Sequence, residues 1–119
     1  MTTRPLITVL TSCALTVLLL SAGVASAENR KIEMTVKDGY FAPTDIEMVA
    51  GEKIDLIVKN IGNEAEEFES IELKREKIVA PGKSITVKLG PLKAGTYGFF
   101  GEFHPETARG KVIVKDKAP

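Results

Sequence analysis

Apolar and polar residues alternate with a period of two along much of the chain. Apolar side chains stand at every second position in the segments 32–36, 46–48, 54–58, 85–89 and 112–114. Successive side chains of a β-strand point to opposite faces, so the pattern indicates strands with one buried face, whereas a helix repeats about every 3.6 residues. Segments 68–73 and 95–100 are expected to form two further strands, and the strand that includes 46–48 is expected to start at Phe41.

Residues with turn chemistry separate these segments. Asp38-Gly39, Gly51-Glu52, the stretch 60–63 and Pro81-Gly82 each interrupt the alternation. About seven short strands punctuated in this way are typical of a Greek-key β-sandwich or barrel. Segments 64–67 and 73–77 are each expected to form no more than a single helical turn. The pattern therefore predicts an all-β domain.

The first 27 residues have the composition of a secretory signal peptide. Arg4 is followed by an uncharged apolar run over 6–20, and Ala25-Ser26-Ala27 has the small residues of a cleavage site. A membrane anchor needs about 20 apolar residues, which is more than this run offers, and Cys13 lies too early in the run for a lipid attachment site. We predict cleavage after Ala27, a domain over residues 28–119, and a periplasmic location.

Charge and cysteine content exclude several classes of function. Lys plus Arg and Asp plus Glu each number 16, without a basic stripe, which argues against binding to nucleic acid. Cys13, the only cysteine, is expected to leave with the signal peptide, so the exported domain has no disulfide and no thiolate. With His104 as the only histidine, the usual hydrolytic arrangements are absent.

Several motifs resemble those of bacterial cupredoxin-like domains, in order from end to end. They are Phe41-x-Pro43-x-x-Ile46-x-Met48-x-x-Gly51-x-x-Ile54-x-Leu56-x-Val58-x-Asn60, Pro81-Gly82, Gly95-Thr96-Tyr97-x-Phe99-Phe100, and His104 followed by Gly110-x-Val112-x-Val114. The resemblance implies a cupredoxin-like Greek-key β-sandwich.

Two shorter motifs are similar to those of the EfeO-type cupredoxin-like proteins, which are associated with bacterial high-affinity iron permeases. These motifs are Glu66-Glu67-Phe68-Glu69-Ser70 and Phe99-Phe100-Gly101-Glu102-Phe103-His104-Pro105. The resemblance implies a role in iron uptake, with an iron permease or another periplasmic iron-uptake component as the partner and contact with the membrane only through that partner.

The resemblance also locates the ligands of a blue-copper centre, which are two imidazoles, one thiolate and usually a weak thioether. Glu66 stands at the place of the first histidine and Gly101 at the place of the cysteine. His104 keeps the second histidine, while Ala108-Arg109 stands where the methionine is expected. Three of the four ligands are therefore missing, and no blue-copper centre is expected.

The residues at these places suggest a different metal site. Glu66 shares a strand face with Phe68, and Glu102 lies two residues from His104, so we predict that Glu66, Glu102 and His104 converge. Glu69 is a weaker candidate ligand because it faces away from Glu66 in a regular strand. Carboxylates and one imidazole suit Cu(II) or iron. The alternative is a solvated histidine beside glutamates that protect an edge strand.

Three functions remain open on these grounds. The leading hypothesis is a metal-binding accessory protein of an iron permease that captures Cu(II) or iron. A metal-free adaptor domain of a permease complex is the second, and a ferroxidase component is the third, although the sequence contains neither a copper–thiolate site nor a multi-metal cluster. The basic segment 74–77 is either a solvated surface or a docking site for a partner protein.

Overall fold

The computed structural model describes residues 28–119, together with residues 2, 3, 5, 16 and 17. The predicted signal peptide, residues 1–27, otherwise lies outside the described residues, so its cleavage stays a prediction. No helix within the described part is long and apolar enough to cross a membrane.

The described residues form nine strands. Their bounds are β1 Arg30–Lys37, β2 Tyr40–Ala42, β3 Asp45–Val49, β4 Ile54–Asn60, β5 Glu66–Ser70, β6 Arg75–Val79, β7 Ser84–Leu89, β8 Gly95–Gly101 and β9 Arg109–Lys115. The alternation of apolar residues agrees with burial. In β4 every second residue is buried, from Ile54 to Asn60. The all-β class predicted from the period of two is confirmed.

The strands form two sheets that face each other. One sheet has the order β2-β1-β4-β7 and the other has the order β3-β9-β8-β5-β6. β1 pairs with β4, and β3 with β9, in parallel, while the remaining pairs are antiparallel. Parallel strands cannot be joined by a tight hairpin. The chain therefore passes through the other sheet between β1 and β4, and again between β3 and β9.

The prediction of seven strands was too low, for two local reasons. The segment expected to be one strand from Phe41 to Met48 is divided at Pro43 and Thr44 into β2 and β3, which belong to different sheets. Residues 75–79, where a helical turn was expected to begin at Leu73, form β6 instead, because they pair with β5 along the edge of the second sheet. The turn expected over 64–67 is also absent, since β5 begins at Glu66.

The core lies between the two sheets and is centred on three aromatic rings. The ring centroids of Phe68 and Phe99 are 5.1 Å apart, and Phe41 lies 6.2 Å from Phe68 and 5.6 Å from Phe99. Met34 and Met48 are buried in the same core, as the sequence predicted. The aromatic cluster fixes the position of β5 against β8, and the candidate site lies at the end of these two strands.

Candidate functional site

Glu66 is a buried carboxylate at the start of β5. It shares a face with Phe68 by the period of two, and only 1% of its surface is exposed. Its Oε1 atom accepts a hydrogen bond from the backbone N–H of Phe103 at 2.9 Å and another from Glu67 at 3.1 Å. A buried charge is tolerated only when such donors replace water. The carboxylate is therefore tied to the loop that follows β8.

That loop holds His104 against Glu66. The loop is a turn rather than extended chain, since the N–H of His104 donates to the carbonyl oxygen of Gly101 at 3.1 Å and the N–H of Ala108 donates to that of His104 at 2.9 Å. The Nδ1 atom of His104 lies 2.5 Å from Oε2 of Glu66, and its Nε2 atom lies 2.9 Å from Oε2 of Glu64.

The two carboxylates favour the charged form of the imidazole. The hydrogen bond to Glu66 is the largest influence that raises the pKa of His104 above 6.5, and Glu64 adds to it, while burial opposes both. Ionised carboxylates only accept hydrogen bonds, so both ring nitrogens donate when His104 is protonated. The arrangement is an ion pair with one buried and one exposed carboxylate, because the Glu64 side chain is 70% exposed.

Gly101 lies directly beside this pair. A Cβ atom added to Gly101 would lie 2.6 Å from Cδ of Glu66 and 2.7 Å from Cβ of Ala108. Positions 66, 101 and 104 therefore converge, as the resemblance to copper proteins implied, but the Glu66 carboxylate fills the space that a cysteine side chain would need. A copper–thiolate centre does not fit the residues of this site.

Glu102, predicted as a third ligand, lies apart from Glu66 and His104 in the structure. The prediction assumed extended backbone, in which residues two apart share a side, but the chain turns after Gly101. The N–H of Glu102 donates to the carbonyl oxygen of Glu67 at 2.9 Å. Its carboxyl group adjoins that of Glu69. Burial is the main cause that raises the pKa of Glu69, and the neighbouring Glu102 carboxyl is the second. Glu102 and Glu69 therefore lie together on the outer face of the sheet, away from the core side where Glu66 points.

Glu67 belongs to the same outer group as Glu69 and Glu102. The carboxyl group of Glu76 is the main cause that raises the pKa of Glu67 to about 7, followed by burial and by the charges of Glu69 and Glu102. Of the predicted ligands, Glu66 and His104 thus contact each other, whereas Glu102 and Glu69 form part of a separate group.

Glu64 was not predicted as a partner of His104. The period of two gave no signal for it, because Glu64 lies in a bend before β5 and not in a strand. Within the described residues, no three His, Cys, Asp or Glu side chains are arranged to hold a metal ion by themselves. The imidazole borders a shallow cleft that is lined by residues 103–107.

The described residues thus form a two-sheet β-sandwich with an ion pair between Glu66 and His104 where β5 begins and β8 ends. A family model for the cupredoxin-like domain matches residues 9–114. The chain therefore belongs to the cupredoxin-like domain family. An uncharacterized protein of Rickettsia prowazekii is 48% identical over 86 residues, which span 72% of this chain and 69% of the relative.

Solved structures support the same fold at low sequence identity. Auracyanin A, a blue copper protein from Chloroflexus aurantiacus, superposes with a TM-score of 0.63 at 15% identity and covers 74% of this chain and all of its own. The metal-binding domain of the Cu(I)-exporting ATPase CopA of Streptococcus pneumoniae gives 0.62 at 18% identity, over 76% of this chain and 91% of the domain. A blue copper oxidase of Nitrosomonas europaea gives 0.63 at 16% identity over 77% of this chain, which spans 40% of the oxidase's length.

Proposed function

We propose that this protein is a metal-binding accessory of a bacterial high-affinity iron-uptake system and that it acts in the periplasm. The observation that carries the proposal is the position of the His104 imidazole, which lies at a ligand place of the family between one buried carboxylate and one exposed carboxylate. The signal-peptide pattern of residues 1–27 supports the location, and the resemblance to EfeO-type proteins supports the association with iron uptake.

The two carboxylates have different roles in this proposal. Histidines that bind metals commonly donate the second ring N–H to a carboxylate, which fixes the ring orientation and makes the other nitrogen more basic. Glu66 is suited to this role because it is buried and contacts Nδ1 at 2.5 Å. Nε2 is then the donor to the metal, and the exposed Glu64 carboxylate beside it supplies oxygen. The ion displaces the proton that Nε2 and Glu64 share without metal.

One nitrogen and one carboxylate form an incomplete donor set, which suits transfer better than storage. Water and groups of the partner protein complete the coordination when the ion is handed over. The ion is Cu(II) or iron, because imidazole suits both and carboxylate favours harder ions over Cu(I). The partner is the iron permease or another periplasmic component of iron uptake.

A second candidate function is a metal-free adaptor within the same complex. It is favoured by the fact that both nitrogens of His104 already have carboxylate partners at 2.5 and 2.9 Å. In this case the ion pair replaces the metal as the link between β5 and the loop after β8, and the protein contributes only a surface. A ferroxidase component, the third hypothesis, additionally requires that a bound ion exchange electrons with Fe(II).

Calorimetric titration with Cu(II), Mn(II) and, without oxygen, Fe(II) distinguishes these functions. We expect His104→Gln to abolish Cu(II) binding, and Glu66→Gln to weaken it about tenfold or more, as is usual for a carboxylate that orients a metal-binding histidine. Glu64→Gln should weaken both Cu(II) and Mn(II). Glu33→Gln, which removes the same charge from β1 in the other sheet, is the control and should bind as the wild type does.

The alternatives predict different results in this titration. Absence of binding by the folded wild-type protein, checked by circular dichroism, rejects the metal-binding function and favours the adaptor. Binding that survives unchanged in His104→Gln rejects the proposed site. Oxygen consumption during the Fe(II) titration that depends on bound Cu(II) favours the ferroxidase component.

A further inference from the structure

Four glutamates form an acidic patch on the outer face of the second sheet: Glu67 and Glu69 of β5, Glu76 of β6 and Glu102 of the loop after β8. The strand register places Glu69 directly opposite Glu76. Glu67 is on the same face as Glu69 by the period of two, and the backbone of Glu102 is hydrogen-bonded to that of Glu67. Like charges that lie directly opposite on neighbouring strands destabilise a sheet.

Basic residues near the acidic patch do not neutralise it. Arg75 and Lys77 flank Glu76 in β6, but they point to the other side, where Arg75 donates to the carbonyl oxygen of Lys88 at 2.8 Å and Lys77 to that of Thr86 at 2.7 Å. The ion pairs within residues 28–119 involve other carboxylates, and the patch takes part in none of them. The acidic patch therefore has no cationic partner within residues 28–119.

Glu67 is the least exposed member of the acidic patch. Only 8% of its surface is exposed, and among the described residues no backbone N–H and no basic side chain donates a hydrogen bond to its carboxyl group, whose hydrogen-bonding neighbour is the carboxyl of Glu76. The neighbouring groups are the carboxyls of the other three glutamates, and that of Glu76 has the largest effect on the pKa of Glu67. A carboxyl group whose nearest partner is another carboxyl group gains no opposite charge from it, and a cationic group would supply both charge and hydrogen bonds.

Exposed apolar side chains adjoin the acidic patch. Ile78 lies opposite Glu67 in the register of β5 and β6, which places it on the same face, and it is 60% exposed. Phe103 follows Glu102 in the chain and is 47% exposed. Charged groups beside exposed apolar ones are typical of protein interfaces, where the apolar atoms provide area and the charges provide specificity.

We propose that the acidic patch is a docking surface for a partner protein that presents arginine or lysine side chains next to an apolar residue. Charge complementarity determines this choice, together with the apolar neighbours, which a hydrated ion would not require. The patch is distinct from the site proposed for metal, because no hydrogen bond or ion pair within the described part of the chain joins its side chains to His104. Loss of metal binding in His104→Gln therefore leaves this proposal intact.

The test uses nuclear magnetic resonance of the isotopically labelled protein and a short peptide in which two arginines flank a leucine. We expect amide shifts centred on Glu67, Glu69, Ile78 and Glu102, with affinity that falls as salt is added. The double variant Glu67→Gln/Glu69→Gln should weaken binding about fivefold, the scale of losing two partly screened ion pairs. Glu33→Gln in β1 of the other sheet removes a comparable charge and should leave the affinity unchanged.

A peptide in which lysines replace the arginines should bind to the same residues, and one with glutamates should not bind. The proposal is wrong if Glu33→Gln weakens binding as much as the double variant does, because binding is then a response to net charge alone. It is also wrong if Mn(II) selectively broadens the amide signals of the patch while the arginine peptide shifts none of them, since the patch is then a metal site.

Discussion

The Nδ1 atom of His104 lies 2.5 Å from the Oε2 atom of Glu66, so that an ion pair joins the loop after β8 to the first residue of β5. In the resemblance to copper proteins these two positions hold metal ligands. The carboxylate also accepts hydrogen bonds from two backbone N–H groups. The link between strand and loop that a metal makes elsewhere is thus made here by charge and hydrogen bonds within the protein itself.

Removing the Glu66 side chain should destabilise the protein. Glu66→Ala leaves the N–H groups of Phe103 and Glu67 without their acceptor and His104 without its buried partner, and we expect the free energy of unfolding to fall by about 2–3 kcal/mol. Urea unfolding measures the loss. Glu64→Ala, which removes the exposed partner of the same imidazole, is the control and should cost less than about 1 kcal/mol. Equal losses in the two variants would contradict the importance of the buried contact.

Stability should decrease as the pH rises through neutrality. The pKa of His104 is raised above 6.5 in the folded protein, so its ion pair contributes fully below 6.5 and is lost as the pH rises through the folded-state value. The raised pKa of Glu67 acts in the same direction between 4.5 and about 7. Urea unfolding at a series of pH values should show this decline.

Two variants separate the contributions to this pH dependence. His104→Gln should remove the part of the decline above 6.5, and Glu67→Gln the part between 4.5 and about 7. Nuclear magnetic resonance titration of the imidazole gives the pKa of His104 directly, and this value should fall in Glu66→Gln. An imidazole pKa that is unchanged in Glu66→Gln would mean that the two groups do not interact in solution.

Replacing Gly101 by cysteine should destabilise the protein when it is the only change. Combined with Glu66→His, the same replacement should create a copper–thiolate site. In Gly101→Cys the new side chain overlaps the Glu66 carboxylate and Ala108, and we expect a loss of about 1–3 kcal/mol from overpacking. The double variant Glu66→His/Gly101→Cys places two imidazoles and a thiolate at converging positions, and with Cu(II) it should show the intense visible absorption of copper–thiolate bonding. The wild type with Cu(II) should stay pale, because its only cysteine is Cys13.

Reducing the charge of the acidic patch should stabilise the isolated protein. Glu69 lies opposite Glu76 and adjoins Glu102, so Glu69→Gln relieves repulsion and should raise the melting temperature. Glu33→Gln has the opposite expectation, because it breaks an ion pair with Lys59 at 2.7 Å. A lower melting temperature for Glu69→Gln at low salt would show that the patch is already compensated.

The mature protein should begin at Glu28. Small residues precede it at Ala25 and Ala27 after an uncharged apolar run, and β1 starts close by at Arg30. Expression of the full chain, followed by mass spectrometry of the periplasmic fraction, measures the N-terminus. A product that retains Met1, or one that carries lipid on Cys13, would contradict the predicted cleavage.

The fold class, the faces of the strands and the missing copper ligands follow from the amino-acid sequence alone. Alternation with a period of two is a local property, so it was enough to predict that Glu66 shares a face with Phe68 and that Glu69 points away from it. The absence of cysteine after residue 13 was enough to exclude a copper–thiolate centre. The resemblance then brought Glu66, Gly101 and His104 to one place, and the structure places them together.

Which carboxylates surround His104 depends on the packing of the whole domain and could not be predicted from the spacing of residues. The turn after Gly101 depends on hydrogen bonds to the loop's own backbone. Because of this turn, Glu102 lies on the outer face of the sheet, although its spacing of two residues from His104 predicted that the two side chains share a side. The pairing of β6 with β5 likewise places Glu76 opposite Glu69, a contact that depends on the turn between these two strands. Periodicity describes extended backbone one strand at a time. It carries no information on where a loop turns or which strands pair, because those depend on the packing of the whole sandwich.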